Sequence, residues 1–138
     1  MPPYSFLEAY IKGSCQKNPG PMAIGYALVN GKEVIKEEAK RAGEGTNNLA
    51  ESLAAIFALE AAEEIGTSKL AVVTNSENFA RQMAGKIQTR DPKLVPLQTR
   101  MFKLHRSFPE GVTYVHVPRE HRWSMHVKER TREVLGIH

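Results

Sequence analysis

The sequence predicts an α/β fold in which three antiparallel strands are followed by helix–strand crossovers. The first observation is the dipeptide Asn30-Gly31 between two strand-like segments, because both central residues of a type I′ hairpin turn need positive φ. The second is that each later strand-like segment follows a helical segment, and such crossovers connect parallel strands. The predicted order is βββαβααβα. The 138 residues fit a single domain spanning 1–138, which is long enough to bury a hydrophobic core.

Five segments are predicted as strands. The first has mixed polarity and ends at Lys12, after which small residues and a Gly/Pro-rich turn follow. Small residues at a strand end allow a ligand to approach the backbone closely. The second strand, AIGYALV, is apolar, and the fourth, KLAVVT, is short and apolar enough to be buried. The predicted strands span 4–12, 23–29, 33–42, 69–74 and 112–117.

Four segments are predicted as helices, and the one after the third strand is the clearest. It is rich in Ala, Leu and Glu and stops at Gly66. The third begins between Pro92 and Pro96 and runs to about Phe108. The other three predicted helices span 47–66, 76–84 and 124–135. One face of the first helix is predicted to carry its large apolar residues, Leu49, Leu53, Ile56 and Ile65.

Charge is unevenly distributed along the chain. Residues 1–80 hold 7 Lys/Arg and 10 acids, a net charge of −3, whereas residues 81–138 hold 12 and 5, a net charge of +7. A basic half is typical of a polyanion-binding protein, although a solvated surface explains it equally well. The single cysteine, Cys15, excludes an internal disulfide and suits a reducing compartment. With no apolar run near the roughly 20 residues of a membrane span and no secretory signal at the start, we expect a cytoplasmic protein.

Four short segments carry a resemblance to a known family. GSCQKNPGPMAIGYAL follows the first strand, TNNLAESLAAIFALEAA opens the first helix, VVTNSENF ends the fourth strand and VPREH follows the fifth. In this order, on matching elements, they resemble ribonuclease H over nearly the whole chain. The resemblance implies a ribonuclease H-like five-stranded mixed sheet flanked by helices. It also implies cleavage of the RNA strand of RNA–DNA hybrids by two Mg²⁺ ions, which four carboxylates hold.

The sequence departs from the family pattern at these acid positions. Glu51 is retained, but Lys12 and Asn75 stand where the family has aspartates. The last family aspartate falls at His126 by its spacing from VPREH, or at Lys128 when the helix faces are matched. One of four acids therefore remains, and the ammonium of Lys12 repels a dication. We expect no bound metal cofactor and the loss of two-metal hydrolysis.

Glu51 has three interpretations. It lies three residues after Asn48, so that Asn48 as N-cap and Glu51 at N3 would form a capping box. The resemblance places it close to Lys12, which would then pair with its carboxylate. It is also a candidate metal ligand.

Two segments are candidates for nucleic-acid contacts, because the resemblance assigns such contacts to their counterparts. Amide side chains suit the mixed donors and acceptors of 2′-hydroxyls and base edges. Turn and helix-cap chemistry is the alternative explanation for the same residues, and Cys15 also suits a small buried site. The candidates are Ser14, Cys15, Asn18, Thr46, Asn47 and Asn48.

Several other features have ordinary explanations. Trp123 is predicted to pack rather than to stack on a base. The spacing of His116, His121 and His126 fits no usual zinc pattern. The basic residues of the middle helices are expected on solvated faces, with a phosphate track as the alternative. They are Arg81, Lys86, Arg90, Lys93, Arg100, Lys103 and Arg106.

Three functions follow as hypotheses. The first is a ribonuclease H-like pseudoenzyme that binds an RNA–DNA hybrid or another duplex without cleaving it. The second is an active endonuclease with a rearranged acid set, Glu51 and Glu77 with Glu44 or Glu129, which would use Mg²⁺ or Mn²⁺. The third is a non-catalytic protein-interaction module.

Overall fold

Five strands form one mixed sheet in the order β3-β2-β1-β4-β5, as seen in a computed structural model that describes residues 2–137. The central strand β1 (Tyr4–Cys15) pairs antiparallel with β2 (Gly20–Asn30) and parallel with β4 (Thr67–Thr74). The edge strands are β3 (Glu33–Gly45), antiparallel to β2, and β5 (Val112–His116), parallel to β4. This arrangement confirms the predicted fold class and element order.

Four helices cover the two faces of the sheet. The larger core lies on one face, where α1 (Asn47–Ile65), α2 (Glu77–Ala84) and α3 (Val95–His105) contribute buried residues. The second core lies on the other face, under α4 (Arg122–Leu135), and includes Val127. Helices therefore pack on both faces of the sheet.

The buried face of α1 differs from the prediction. Ala54, Ala55 and Ala58 are fully buried, whereas Leu49 and Leu53 are only half-buried. Alanine has the smallest side chain that still favours a helix, so it lets α1 lie close against the sheet. The prediction was therefore confirmed in part: Ile56 is buried and Leu53 and Ile65 pack against the core, but the alanines make the closest approach to the sheet.

Strand β1 is longer than the sequence predicts. Its antiparallel pairing with β2 continues past Lys12 to Cys15, which lies opposite Met22. Lys12 and Gly13 are consequently positions within a strand rather than the beginning of a loop. Pairing with β2 therefore fixes the backbone of both residues and the face of the sheet from which the Lys12 side chain extends.

None of the helices within residues 2–137 combines the length and the apolar character that a membrane crossing requires.

Candidate functional site

A polar cavity of about 380 Å³ lies where β1, the start of α1, the end of β4 and α4 meet. Because β1 and β4 are parallel neighbours, their carboxyl-terminal ends lie at the same edge of the sheet. Lys12 and Asn75 come together in this way. The cavity is lined by Lys12, Gly13, Asn47, Asn48, Glu51, Asn75, Ser76, Arg119 and Lys128.

Gly13 brings α1 against the sheet at this point. A Cβ atom built on Gly13 would lie 2.2 Å from the backbone carbon of Ala50 and 2.4 Å from the backbone nitrogen of Glu51. No side chain fits in that space, so only glycine permits this approach of strand and helix. The contact fixes Glu51 directly behind the cavity.

Glu51 is buried, with 6% of its surface exposed, and both carboxylate oxygens are hydrogen-bonded. The Gly13 N–H donates to Oε2 at 3.0 Å, and the Thr74 hydroxyl donates to Oε1 at 2.5 Å. Burial raises the pKa of Glu51 above its ordinary value, while the hydrogen bond from Thr74, the charge of Lys12 and the Gly13 N–H act in the opposite direction. The environment thus partly disfavours the anionic form of the one acid in the cavity.

The predicted capping box at the start of α1 was wrong. Thr46 is the N-cap, and its hydroxyl accepts a hydrogen bond from the Leu49 N–H at 3.2 Å. Asn48 lies inside the helix, so Glu51 is beyond the N3 position. Glu51 contacts the sheet instead of capping its own helix.

Lys12 contacts Asn75 rather than Glu51. Its Nζ lies 3.4 Å from Asn75 Oδ1. The ion pairs among residues 2–137 join other side chains, so the expected close pair between Lys12 and Glu51 is not formed. A lysine ammonium has three donors, and Asn75 takes one, which leaves two that are free to contact a ligand.

The two candidates for the last acid position lie on different sides of α4. Lys128 lines the cavity. His126 turns toward β3, where its Nε2 lies 3.1 Å from both carboxylate oxygens of Glu37. Residues two positions apart in an α-helix point in directions about 200° apart, so only one of His126 and Lys128 can face the cavity.

Comparison with known proteins identifies the family. The sequence model of the RNase H family matches residues 5–128. The chain belongs to the RNase H family. One curated relative is ribonuclease HI of Halobacterium salinarum, which is 36% identical over 114 residues, 82% of this chain and 57% of that protein. The chain spans about half the length of this relative and of the ribonuclease H of Dinoroseobacter shibae, of which it covers 46% at 49% identity over 74 residues.

Solved structures of RNase H proteins share the whole fold. The crystal structure of RNase H1 from Halobacterium salinarum superposes with a TM-score of 0.87 at 32% identity, covering 96% of this chain and 98% of that one. LC11-RNase H1, solved in complex with an RNA/DNA hybrid, gives a TM-score of 0.78 at 30% identity and covers 94% and 99% of the two chains. The sheet and helix arrangement is therefore that of the family.

The candidate nucleic-acid residues at the start of α1 divide into two kinds. Asn47 and Asn48 are exposed and line the cavity. Asn18 lies on the neighbouring loop, and its Oδ1 accepts a hydrogen bond from the Asn47 N–H at 3.2 Å. The Thr46 hydroxyl is already engaged as the helix cap. The asparagine amides of α1 are thus the groups free to contact a ligand.

Ser14 and Cys15 make structural contacts beside a second cavity of about 170 Å³. The Thr131 hydroxyl donates to the Lys128 carbonyl at 2.7 Å. The Ser14 hydroxyl, 2.8 Å from Thr131 Oγ1, must therefore be the donor in that pair. The Cys15 thiol donates to backbone carbonyls, including that of Gly45 at 3.2 Å. Both side chains hold β1 against its neighbours.

Arg119 and Arg132 were missed as site residues. Arg119 lines the main cavity, and Arg132 lines the second one. For Arg119 a signal was available: it follows β5, and the carboxyl ends of parallel strands share one edge of the sheet. Arg132 lies one helical turn after Lys128 on α4, so the helical period placed it on the same face.

The donor set of the main cavity does not fit the two magnesium ions implied by the family. Mg²⁺ prefers several anionic or carbonyl oxygens in octahedral geometry. Here the cavity has one carboxylate, which is turned toward Gly13 and Thr74. Its other side-chain oxygens are neutral, and that of Asn75 contacts Lys12. Within residues 2–137, no three His, Cys, Asp or Glu side chains are grouped closely enough to hold a metal ion, so Glu51 and Glu77 with Glu44 or Glu129 form no such group.

Proposed function

We propose that this RNase H-family chain binds duplex nucleic acid, with an RNA–DNA hybrid as the first candidate, and does not cleave it by a metal-dependent reaction. The observation that supports the proposal is that Lys12, Asn75 and Lys128 line one cavity. The resemblance to the family places Lys12 and Asn75 at acid positions, and Lys128 is the candidate for the last acid position that lines the cavity. A cytoplasmic location belongs to the proposal, because a single cysteine suits a reducing compartment.

Loss of cleavage follows from the charges around the cavity. Lys12, Arg119 and Lys128 oppose the single acid, Glu51, which gives the lining a formal charge of +2. Two dications close together need several anionic ligands to offset their mutual repulsion. A lining of this charge repels them, so the chain lacks the ions that would activate water and stabilise the leaving oxygen.

Duplex binding is supported by groups that do not depend on metal. Asn47 and Asn48 present exposed amides beside the cavity. Amides both donate and accept hydrogen bonds, which matches the 2′-hydroxyls and base edges in the wide minor groove of an A-like duplex. The basic residues around the same cavity supply the attraction to phosphate that dominates nucleic-acid affinity. The related LC11-RNase H1 is described as a complex with RNA/DNA hybrid, which makes the hybrid the duplex to test first.

An active ribonuclease H is the second candidate function. It is favoured by the relatives, since the proteins of Halobacterium salinarum and Dinoroseobacter shibae are named ribonuclease HI and ribonuclease H. In that case Glu51 would remain essential, because it is the one carboxylate that lines the cavity among the described residues.

The test combines binding and cleavage on the same labelled RNA–DNA hybrid. Binding is titrated in EDTA between about 50 and 200 mM salt, and an affinity that falls steeply with salt supports the proposal. Cleavage is assayed with Mg²⁺ and with Mn²⁺, alongside Glu51→Gln as the control for contaminating nuclease. Turnover by the unaltered chain that Glu51→Gln abolishes would establish the enzyme instead. Absence of duplex binding at low salt would remove the proposal and favour a protein-interaction module.

The contact residues are tested by a matched pair of asparagine variants. Replacing both Asn47 and Asn48 by alanine is expected to weaken hybrid binding about 10-fold or more, since each loses hydrogen bonds of about 1 kcal/mol. Asn30→Ala, next to the hairpin turn at the opposite end of β2, removes an exposed amide away from the cavity and is expected to leave affinity unchanged. Equal effects of the two variants would show that the start of α1 is not the contact surface.

A further inference from the structure

The charges that face into the main cavity are predominantly positive. Lys12, Lys128 and Arg119 are the charged residues that line it besides Glu51. Glu51 offsets them only in part, because its oxygens are directed to Gly13 and Thr74 and burial raises its pKa. A ligand entering from solvent therefore meets cations and amides first. This arrangement is suited to an anion.

The same groups supply hydrogen-bond donors that converge on the cavity. Lys12 has two free donors beyond its contact with Asn75. An arginine presents a planar fork that matches two oxygens of a phosphate, and a lysine binds phosphate as a point charge. Three cationic side chains from β1, the segment after β5 and α4 thus surround one polar space of about 380 Å³.

The main cavity is the middle part of a longer groove. The second cavity shares Lys12, Asn47 and Lys128 with it and adds Arg132. A third, of about 300 Å³, meets the main cavity at Asn48 on the other side. This third cavity has no cationic side chain in its lining, which consists of Asn48, Ser52, Asn78, Phe79, Gln82, Thr89, Asp91 and Leu94. The groove is therefore basic at one end and neutral to acidic at the other.

We infer that the main cavity is a phosphate site, in which Lys12, Lys128 and Arg119 bind one phosphate group directly in the space that metal ions would otherwise occupy. The inference rests on the proposed function and deepens it by naming the group that enters the cavity. Two sources share this chemistry: an internal phosphodiester of a strand lying along the groove, and the terminal phosphate of a strand that ends in it.

A charge-neutralisation scan tests the inference with an internal phosphate. Single linkages of an RNA–DNA hybrid are replaced, one at a time, by neutral methylphosphonate, and affinities are measured in EDTA. We expect one linkage, the one whose phosphate lies in the main cavity, to differ from the rest. Its neutralisation should weaken binding by the unaltered chain about 10- to 100-fold, the range for a charge-assisted hydrogen bond. In Lys12→Met and Lys128→Met the same replacement is expected to have little further effect, because the partner charge has already been removed.

Lys32→Met provides the matched control for general loss of positive charge. Lys32 is exposed and lies in the β2–β3 hairpin turn, at the opposite end of the sheet from Lys12. This variant is expected to retain the full response to neutralisation of the linkage whose phosphate lies in the main cavity. If no linkage shows a response that depends on Lys12 or Lys128, and no phosphorylated tetranucleotide binds in the second arm, the phosphate site is overturned while duplex binding stands.

A second arm covers the terminal phosphate. Tetranucleotides with a 5′-phosphate, a 3′-phosphate or neither are titrated against the ¹⁵N-labelled chain, with Gly13 and Lys128 amide shifts as the readout. Saturable shifts that require the phosphate and are lost in Lys12→Met assign the site to a strand end, even when no duplex binds and the proposed function fails. If neither the duplex nor any phosphorylated tetranucleotide binds, both proposals are overturned.

Discussion

Restoring the missing acids is the most direct way to test whether charge keeps magnesium out of the cavity. The variant Lys12→Asp/Asn75→Asp/Lys128→Asp leaves Arg119 as the one cation of the lining and joins three new acids to Glu51. The formal charge of the lining changes from +2, for three cations and one acid, to −3, for one cation and four acids. We expect this variant to acquire a magnesium site and, with it, hybrid cleavage.

The size of the barrier follows from the contact between Lys12 and Asn75. Lys12 Nζ lies 3.4 Å from Asn75 Oδ1. Mg²⁺ binds oxygen at about 2.1 Å, so an ion on that oxygen would lie no more than about 5.5 Å from the ammonium. At an effective dielectric constant of about 20, the repulsion of a dication there is about 6 kcal/mol. A millimolar dissociation constant corresponds to about 4 kcal/mol, so Lys12 alone is sufficient to prevent millimolar binding.

The assay pairs calorimetric titration of Mg²⁺ and Mn²⁺ with cleavage of an end-labelled RNA–DNA hybrid. The unaltered chain is expected to show neither saturable binding nor turnover. Two causes could prevent metal binding: repulsion by the Lys12 ammonium and the shortage of carboxylate ligands. Lys12→Met separates them, since it removes the repulsion without supplying a ligand. Adding Glu51→Gln to the triple aspartate variant is expected to abolish its cleavage.

Two results would refute the reasoning. One is saturable millimolar Mg²⁺ binding by the unaltered chain that Glu51→Gln removes. The other is a triple aspartate variant that folds, as judged by its circular dichroism and melting curve, yet binds no divalent ion. Either result would mean that the charge of the cavity lining does not decide metal binding.

Three further predictions concern the support of Glu51. Thr74→Val leaves a Glu51 oxygen and the Ser76 N–H, 3.0 Å from Thr74 Oγ1, without partners, and should lower the free energy of unfolding by about 2–4 kcal/mol in urea titrations. Gly13→Ala, whose Cβ would overlap the backbone of Ala50, should lower the free energy of unfolding by about 3 kcal/mol or more in the same titrations. Glu51→Gln should change the pH dependence of stability. Because the pKa of Glu51 is raised in the folded state, the stabilisation that its carboxyl provides is fully present below the unfolded pKa of about 4.3. This stabilisation is lost as pH rises through the folded pKa. The free energy of unfolding of Glu51→Gln, relative to that of the unaltered chain, should therefore rise between pH 4 and pH 7, as measured by urea titrations at both pH values.

Each of these has a contradicting outcome. A Thr74→Val chain of normal stability would mean that the Glu51 hydrogen bonds add nothing. Gly85→Ala is the control for Gly13→Ala, because its nearest new contact is 3.2 Å, and equal losses in both would show that packing on Ala50 is unimportant. A stability difference between Glu51→Gln and the unaltered chain that does not change with pH would show that the carboxyl titrates normally.

The fold was predictable because its signals are local. The Asn30-Gly31 signal correctly indicated a hairpin, and the apolar segments after helices indicated crossovers, so the strand directions followed without knowledge of distant contacts. The predicted turn residues were wrong by one position: Asn30 pairs with Glu33, so the turn consists of Gly31, which has positive φ, and Lys32. Element ends were less predictable. The extension of β1 to Cys15 depends on partners in β2, which the composition of β1 alone does not indicate.

The site was predictable only where a motif marked it. The start of α1 offers three possible N-caps in a row, and the choice of Thr46 over Asn48 is set by where β3 ends, one residue earlier at Gly45. The partners of Glu51 are 38 residues before it, at Gly13, and 23 residues after it, at Thr74. Contacts of this separation are products of the folded topology and leave no periodic trace in the sequence.

The position of β1 also has a consequence for how the chain reaches its native state. The first strand to be synthesised is the one that joins the hairpin of β2 and β3 to the parallel pair of β4 and β5. Its parallel partner ends at Thr74, so the pairing of β1 with β4, which extends from Tyr4 to Tyr10, must wait until that residue has left the ribosome. A fragment that begins after Cys15 would leave two strand pairs with no common neighbour, and it should aggregate rather than fold.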